Sequence, residues 1–377
     1  MIRGHASIIT SATIGSQTRA PEAPAGGDIH AISATTLTAA MRSSLKRGLD
    51  RVQALQLQVK ERGACSLPGV SICYNKLVPL IQRAVHREFV SAAHGEYVIR
   101  GLWDGFDLGV DLSASRGKQR FRNYPSALNA RAFVSKATRT RVEGGKTLCL
   151  GAFRDHDRQF LPWSSWRIFP LGAVPKPLEP DERRPVSDHT RTGLKYATDL
   201  EFFKHSLNTY EEIAAYLKTG YYLRVGDVDG AFPLLPLAPN LWPFFMFVWY
   251  DICVADNDET AEWFLYMHVC GDFGAAGLPG TWKIFFSDVM VGVARSEGVL
   301  TLPLCVYVDD TGNIGRDRAA VDREGVAFRE FLKSLGVFMK ELKERAASQL
   351  QLMLGFWWNS LSQSNSHARR KEVPCLC

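Results

Sequence analysis

Two short stretches carry carboxylates where an apolar strand should end. Residues 304–308 read LCVYV, and Asp309 and Asp310 follow directly, with Thr311 and Gly312 expected to continue the turn of a hairpin. Residues 222–228 read as a second strand, and Asp227 closes it within DVDGAFPLLPL. An apolar strand that ends in adjacent carboxylates is costly unless something cationic is bound. Alone, an Asp–Asp turn is usually just a turn. Two such strands side by side would bring Asp227, Asp309 and Asp310 to one edge of a sheet. Hard oxygen donors suit Mg²⁺, and a pair of such ions can clamp the attacking and leaving oxygens of a phosphoryl transfer. Asp229 is expected past the strand end, in a structural or near-substrate position.

The elements that must position these groups are readable from periodicity. Leu45, Leu49, Val52 and Leu55 predict a helix over 37–60, and further helices are expected over 77–92, 126–142, 209–218, 280–294 and 317–334. A loop-rich region is expected between the second of these and Pro125. Candidate strands cover 168–174, 222–228, 244–252, 263–269 and 304–308. Strands and helices mixed in this order predict an α+β domain with an antiparallel sheet. Residues 1–35 are rich in Ala, Ser, Thr, Gly and Pro without periodicity and are expected to be disordered.

Composition excludes more than it assigns. The chain has 377 residues, 46% hydrophobic and 22% charged, which is long enough for a sizeable core and ordinary for a globular protein. A net charge of +6 suits a polyanionic partner without demanding one. None of the eight cysteines forms a zinc-type set; Cys375 and Cys377 read as an incidental tail, and a reducing compartment fits. The start lacks an apolar signal core, and the most apolar run, 244–250, is too short to cross a bilayer. A cytoplasmic or nuclear location without membrane attachment is expected.

One block is strongly basic. Between Leu112 and Val142 stand Arg116, Lys118, Arg120, Arg122, Arg131, Lys136, Arg139 and Arg141, with Phe121, Tyr124 and Phe133 interleaved and no acidic residue. Such a block can track a phosphate backbone while its aromatics stack on bases. A solvated helix face beside a loop would look the same.

Taken together, these segments resemble a known family. DVDGAF, FGAAGLPGTW at 273–282, YVDD at 307–310, LGVFMKELK at 335–343 and LGFWW at 354–358 are similar, in order and spacing, to motifs A to E of reverse transcriptases. FPLGAVPKP at 169–177 and RRPVSDHT at 183–190 are similar to the two fingers strands that hold the incoming nucleotide. GLWDGFDLGV and FRNYPSA, further upstream, resemble retrotransposons of the DIRS group, which encode a tyrosine recombinase. The resemblance spans 97–360. It implies right-hand polymerase fingers and palm over 151–360, preceded by a mostly helical, basic region over 36–150 and followed by a short tail over 361–377.

The resemblance also implies roles. The activity would be RNA-directed DNA synthesis, adding dNTPs to a DNA or RNA primer on an RNA template with two Mg²⁺ ions, for which Mn²⁺ could substitute. Asp227 and Asp309 would bind metal, with Asp310 beside them. Lys176 and Arg184 would neutralise the triphosphate, the amides of Gly230 and Ala231 would cradle phosphate oxygens, and Lys343 would protonate the leaving pyrophosphate. Phe232 would sit under the sugar and exclude a 2′-hydroxyl, and Phe273 and Gly274 would flank base and ribose. Arg116, Lys118, Arg120 and Arg122 would follow the nucleic-acid backbone. RNase H and recombinase domains would be encoded downstream. The chain departs from the pattern at Pro233, Leu234, Gly277 and Leu278, and no thumb follows motif E. The alternatives are therefore a catalytically idle remnant that binds nucleic acid and an RNA-dependent RNA polymerase. The latter would be expected to carry Asp where Phe232 stands.

Overall fold

Helix α1 (Ala39–Arg62) buries Leu45, Val52, Leu55 and Val59, the apolar face that its spacing predicts. It presses on strand β2 (Thr147–Ala152) so closely that a Cβ on Gly48 would lie 2.2 Å from the Leu150 carbonyl oxygen. The structure, a computed structural model, describes residues 39–175, 182–199, 210–254, 261–362 and 364–367. The expected disorder of 1–35, the role of Lys176 and the tail cysteines Cys375 and Cys377 lie outside these residues.

The expected helix over 77–92 is two helices, α2 (Tyr74–His86) and α3 (Ala92–Asp104). Glu88 breaks the run with φ 63°, and Ser91 caps α3 by accepting from the His94 amide at 3.2 Å. Most of α3 falls where a loop was expected. Its Gly95 and Gly101 are packing positions, against Val85 and Ile81 and against Phe106, where a side chain would not fit. The helix expected over 126–142 is likewise divided, into α4 (Pro125–Leu128) and α5 (Arg131–Glu143), at Ala130 with φ −109° and ψ 34°.

Five strands form one sheet. Strands β1 (Lys118–Arg120), β3 (Trp166–Ile168), β7 (Met246–Tyr250), β8 (Trp263–His268) and β2 lie in that order. β3 is parallel to β1 and β7, and the other pairings are antiparallel. The strand expected over 168–174 is split between two sheets. Pro170, which has no N–H to donate, separates β3 from β4 (Leu171–Pro175), and β4 pairs with β5 (Arg183–Ser187) as a separate hairpin.

A four-stranded antiparallel sheet carries the acidic strands, as the sequence predicts. Its order is β11 (Arg345–Ser348), β6 (Tyr222–Asp227), β10 (Asp310–Gly315), β9 (Leu304–Tyr307). Helix α6 (Tyr210–Tyr216) precedes it, and α9 (Arg318–Ser334), capped by Asp317 onto the Ala320 amide at 3.0 Å, packs against it. Helix α7 (Leu278–Trp282) widens to a π-helical stretch over Lys283–Met290, which packs on α3, and ends as α8 (Val291–Ser296), which packs on α2. A three-stranded sheet of β12 (Leu350–Met353), β13 (Phe356–Asn359) and β14 (Ser364–His367) closes the fold. One hydrophobic core runs from Leu45 on α1 through Trp282 to Val337. Among the described residues no helix is long and apolar enough to cross a membrane.

Candidate active site

Strand β10 lies between β6 and β9, and its first residue, Asp310, stands opposite both Asp227 and Tyr307. The hairpin turn is therefore Val308 and Asp309. Thr311 and Gly312 lie in the strand, not in the turn as expected, because Asp310 already pairs on both sides. Val308 takes φ 54°, a left-handed conformation that a β-branched residue adopts only at a cost of about 1–3 kcal/mol. Two hydrogen bonds hold the turn in place. The Trp282 indole donates to the Val308 carbonyl at 2.6 Å, and the Val228 amide donates to the Asp309 carbonyl at 2.7 Å.

The three carboxylates thus converge from two strands, with Asp227 only 2% exposed. Burial, then the neighbouring Asp227, raises the Asp309 carboxyl above its usual range, against the pull of Lys340 and Lys343. Burial, then Asp309 and Asp227, pushes Asp310 up to about 6. Both carboxyls therefore hold their protons more readily than a free aspartate does.

What neutralisation exists comes from one loop. Lys340 Nζ lies 2.6 Å from Asp227 Oδ1 and Lys343 Nζ 2.5 Å from Oδ2. The loop is fastened by the Lys340 amide donating to the Asp227 carbonyl at 2.8 Å and by a bridge between Val228 and Met339. Lys343 was anticipated near the chemistry. Lys340 was not, because the two lysines of LGVFMKELK look alike in sequence and only the loop's path shows that both reach Asp227. Burial is the largest influence and disfavours the Lys343 charge, but the hydrogen bond to Asp227 and the attraction of Asp227, Asp309 and Asp310 together outweigh it and raise its pKa.

These donors suit a hard divalent cation. The raised carboxyls of Asp309 and Asp310 mark where positive charge is wanted. Among the described residues, however, no group of three or more His, Cys, Asp or Glu side chains is arranged to hold a metal ion. Lys340 and Lys343 take both oxygens of Asp227.

The acidic edge opens into a cleft of 740 Å³. Arg183 and Arg184 of β5 line one wall, Gly230, Ala231 and Phe232 line another, and Phe273 stands beside them. Gly230 turns the chain with φ 63° immediately after Asp229, whose amide donates to the Phe338 carbonyl at 2.8 Å. Phe232 is 6% exposed, and its ring lies 5.1 Å from that of Phe273, tilted by 58°. Gly274 has φ 117° and passes so close to Ser187 that a Cβ would lie 1.9 Å from the Ser187 carbonyl oxygen. Among the sequence-predicted residues, the structure gathers Asp309, Asp310, Arg184, Gly230, Ala231, Phe232, Phe273 and Lys343 around this one cleft, with Asp227 ion-paired to its lysines.

The basic block divides. Arg116, Lys118 and Arg122 are exposed. Arg120, expected on nucleic acid, instead forms an ion pair with Asp155 and lies 5.8 Å from the Phe153 ring centroid. Burial, then the nearby Arg158 and Arg122, disfavours its charge, because β1 turns that side chain inward. Arg139 donates to the Ile252 carbonyl, Arg131 stacks 3.8 Å from the Tyr250 ring centroid, and Arg141 pairs with Asp272. A residue outside the block joins its exposed part: Arg191 lies 5.7 Å from the centroids of both Phe121 and Tyr124. Buried Arg167 ties the two segments together, donating to the carbonyls of Arg116 at 2.8 Å and Thr192 at 3.3 Å.

No family model matches the chain, and no curated protein matches it. Similar solved structures include a crystal structure of prototype foamy virus protease-reverse transcriptase in its native form, at 17% identity and a TM-score of 0.44. The selenomethionine-labelled CSH mutant of that protein is similar at the same identity and TM-score. Each match covers 68% of this chain, and the chain spans 28% of the length of either of those.

Proposed function

We propose that the chain is the fingers and palm of an RNA-directed DNA polymerase from a retroelement. The observation that carries this reading is the convergence of Asp227, Asp309 and Asp310 at one end of the β6–β10–β9 sheet, at the edge of a cleft walled by arginines and aromatics. The reaction joins the primer 3′ oxygen to the α-phosphorus of a dNTP and breaks the bond to the β-phosphate. Mg²⁺ held by Asp309 and Asp310, and by Asp227 once Lys340 and Lys343 release its oxygens, would supply charge stabilisation at the reacting oxygens.

The chain's own residues do the rest. Arg184, with Lys176, neutralises the triphosphate. Gly230 and Ala231 offer backbone amides at the turn after Asp229. Phe232, backed by Phe273, places a rigid ring where the sugar must sit. Lys343 carries a proton that it can give to pyrophosphate, and its pairing with Asp227 keeps that ammonium at the acidic edge. Arg116, Lys118 and Arg122 meet the phosphates of an RNA template and its primer.

A second reading is favoured by one contact. With both oxygens of Asp227 engaged by lysines, an idle remnant that only binds nucleic acid would keep those ion pairs and take up no metal. Primer extension on an RNA template, with and without Mg²⁺, tests both. Magnesium-dependent dNTP addition is the expected result. Tight primer–template binding without incorporation, at any divalent concentration, would replace the first reading with the second.

A further inference from the structure

The cleft is lined, away from its acidic edge, by a largely buried polar knot. Arg141 Nη2 lies 2.6 Å from Asp272 Oδ1. The other oxygen of Asp272 accepts the Ser187 hydroxyl and lies 3.2 Å from His268 Nε2. On its far side, His268 Nδ1 lies 2.7 Å from Thr147 Oγ1. Burial lowers the His268 pKa and so favours the neutral ring, in which Nε2–H donates to Asp272 and Nδ1 accepts from Thr147. Burial opposes a charge on Asp272, yet Arg141 first, then His268 and Ser187, hold its carboxyl well below the usual range. The knot joins α5, β2, β8 and β5 to the loop after β8.

Ser187 is gripped three ways. Its amide donates to the Phe273 carbonyl at 3.2 Å, its hydroxyl donates to Asp272, and its carbonyl fills the space that a Cβ on Gly274 would need. Ser187 ends the strand that carries Arg184, and Phe273 follows Asp272 directly. A buried ion pair adds little net stability compared with apolar packing, and its best-attested use is to fix register. Arg141 Nη1 is buried without a hydrogen-bond partner, a further cost that stability alone does not explain.

We propose that the Arg141–Asp272–Ser187 chain fastens β5 to the loop 271–277 and thereby sets the width of the nucleotide cleft. Arg141, Asp272 and Ser187, which line the inner part of the same cleft, are then positioning residues for nucleotide selection, acting through Arg184 and Phe273. This assignment rests on the polymerase reading of the cleft.

The test uses the full chain with Ser187→Ala, which removes only the hydroxyl, and Asp272→Asn, which keeps the shape but removes the charge that faces Arg141. Hydrogen–deuterium exchange should quicken about tenfold or more in 183–187 and 271–277 together, and not elsewhere. In primer extension the dNTP KM should rise about tenfold, with kcat and primer–template Kd changing less than about threefold. Unchanged exchange in both variants overturns the fastening. So does faster exchange spread evenly over the chain, with a lowered melting temperature and an unchanged KM. If the wild-type chain extends no primer, the polymerase reading and the selection role both fall. Exchange alone then decides whether the fastening exists.

Discussion

Asp310, the first residue of β10, faces Asp227, the last of β6, across the strand pair. Like charges directly opposite destabilise a sheet, here at an edge where burial already disfavours the Asp310 charge. Stability and activity are therefore opposed at this pair. Asp310→Asn should stabilise the metal-free protein by about 1 kcal/mol or less and raise its melting temperature in chelator. Primer extension should fall about 100-fold or more, the scale of losing one charge-stabilising group. Unaltered extension would remove Asp310 from the site.

The sugar position gives a second test. Phe232 packs 5.1 Å from Phe273, so its ring is held from one side and faces the cleft from the other. Truncation to Val should open space for a 2′-hydroxyl and shift the ratio of dNTP to rNTP incorporation efficiency toward ribonucleotides by about tenfold or more, since steric exclusion is what the ring supplies. The measurement compares both nucleotides on one RNA template. A constant ratio would return Phe232 to the hydrophobic core.

Salt dependence should separate the basic residues. Arg116 and Arg122 are exposed, whereas Arg120 is paired with Asp155. Replacing Arg116 and Arg122 by Gln should reduce the slope of log affinity against log salt by about one per arginine. Arg120→Gln should leave that slope alone and lower the melting temperature instead. The reverse pattern would mean that Arg120, not its exposed neighbours, meets the phosphates.

His189 should set an acid limit on stability. Its ring is fully buried between Phe169 and Phe245, at 4.5 Å from each centroid, and burial lowers its pKa to about 4. Asp272 and Asp188 pull that value up, and His268 pulls it down. Below about pH 6.5 the unfolded chain takes up a proton that the native state refuses, so stability falls as pH falls, until the native ring also protonates near pH 4. The loss is at most roughly 3 kcal/mol. His189→Phe should flatten the melting temperature between pH 6.5 and 4; an unchanged pH profile would show that the ring is not held neutral.

The carboxylates were legible before the fold because their signal is local. A strand's apolar alternation and the cost of ending it in Asp are both set within a few residues, so Asp227 and Asp309 could be placed at strand ends, and Asp317 at a helix start, from neighbours alone. Strands β1 and β2 and helix α3 were not legible in the same way. KQR has no apolar pattern and becomes a strand only by pairing in parallel with β3, and the glycines of α3 are explained only by Val85, Ile81 and Phe106 on other elements. Charge partners were the least legible. Sequence shows that Arg120, Arg122, Arg141, Lys340 and Lys343 carry charge; burial decides which of those charges the protein must neutralise itself. That depends on strand facing and loop path, because Coulomb attraction and desolvation act through space, between residues that only the closed chain brings together.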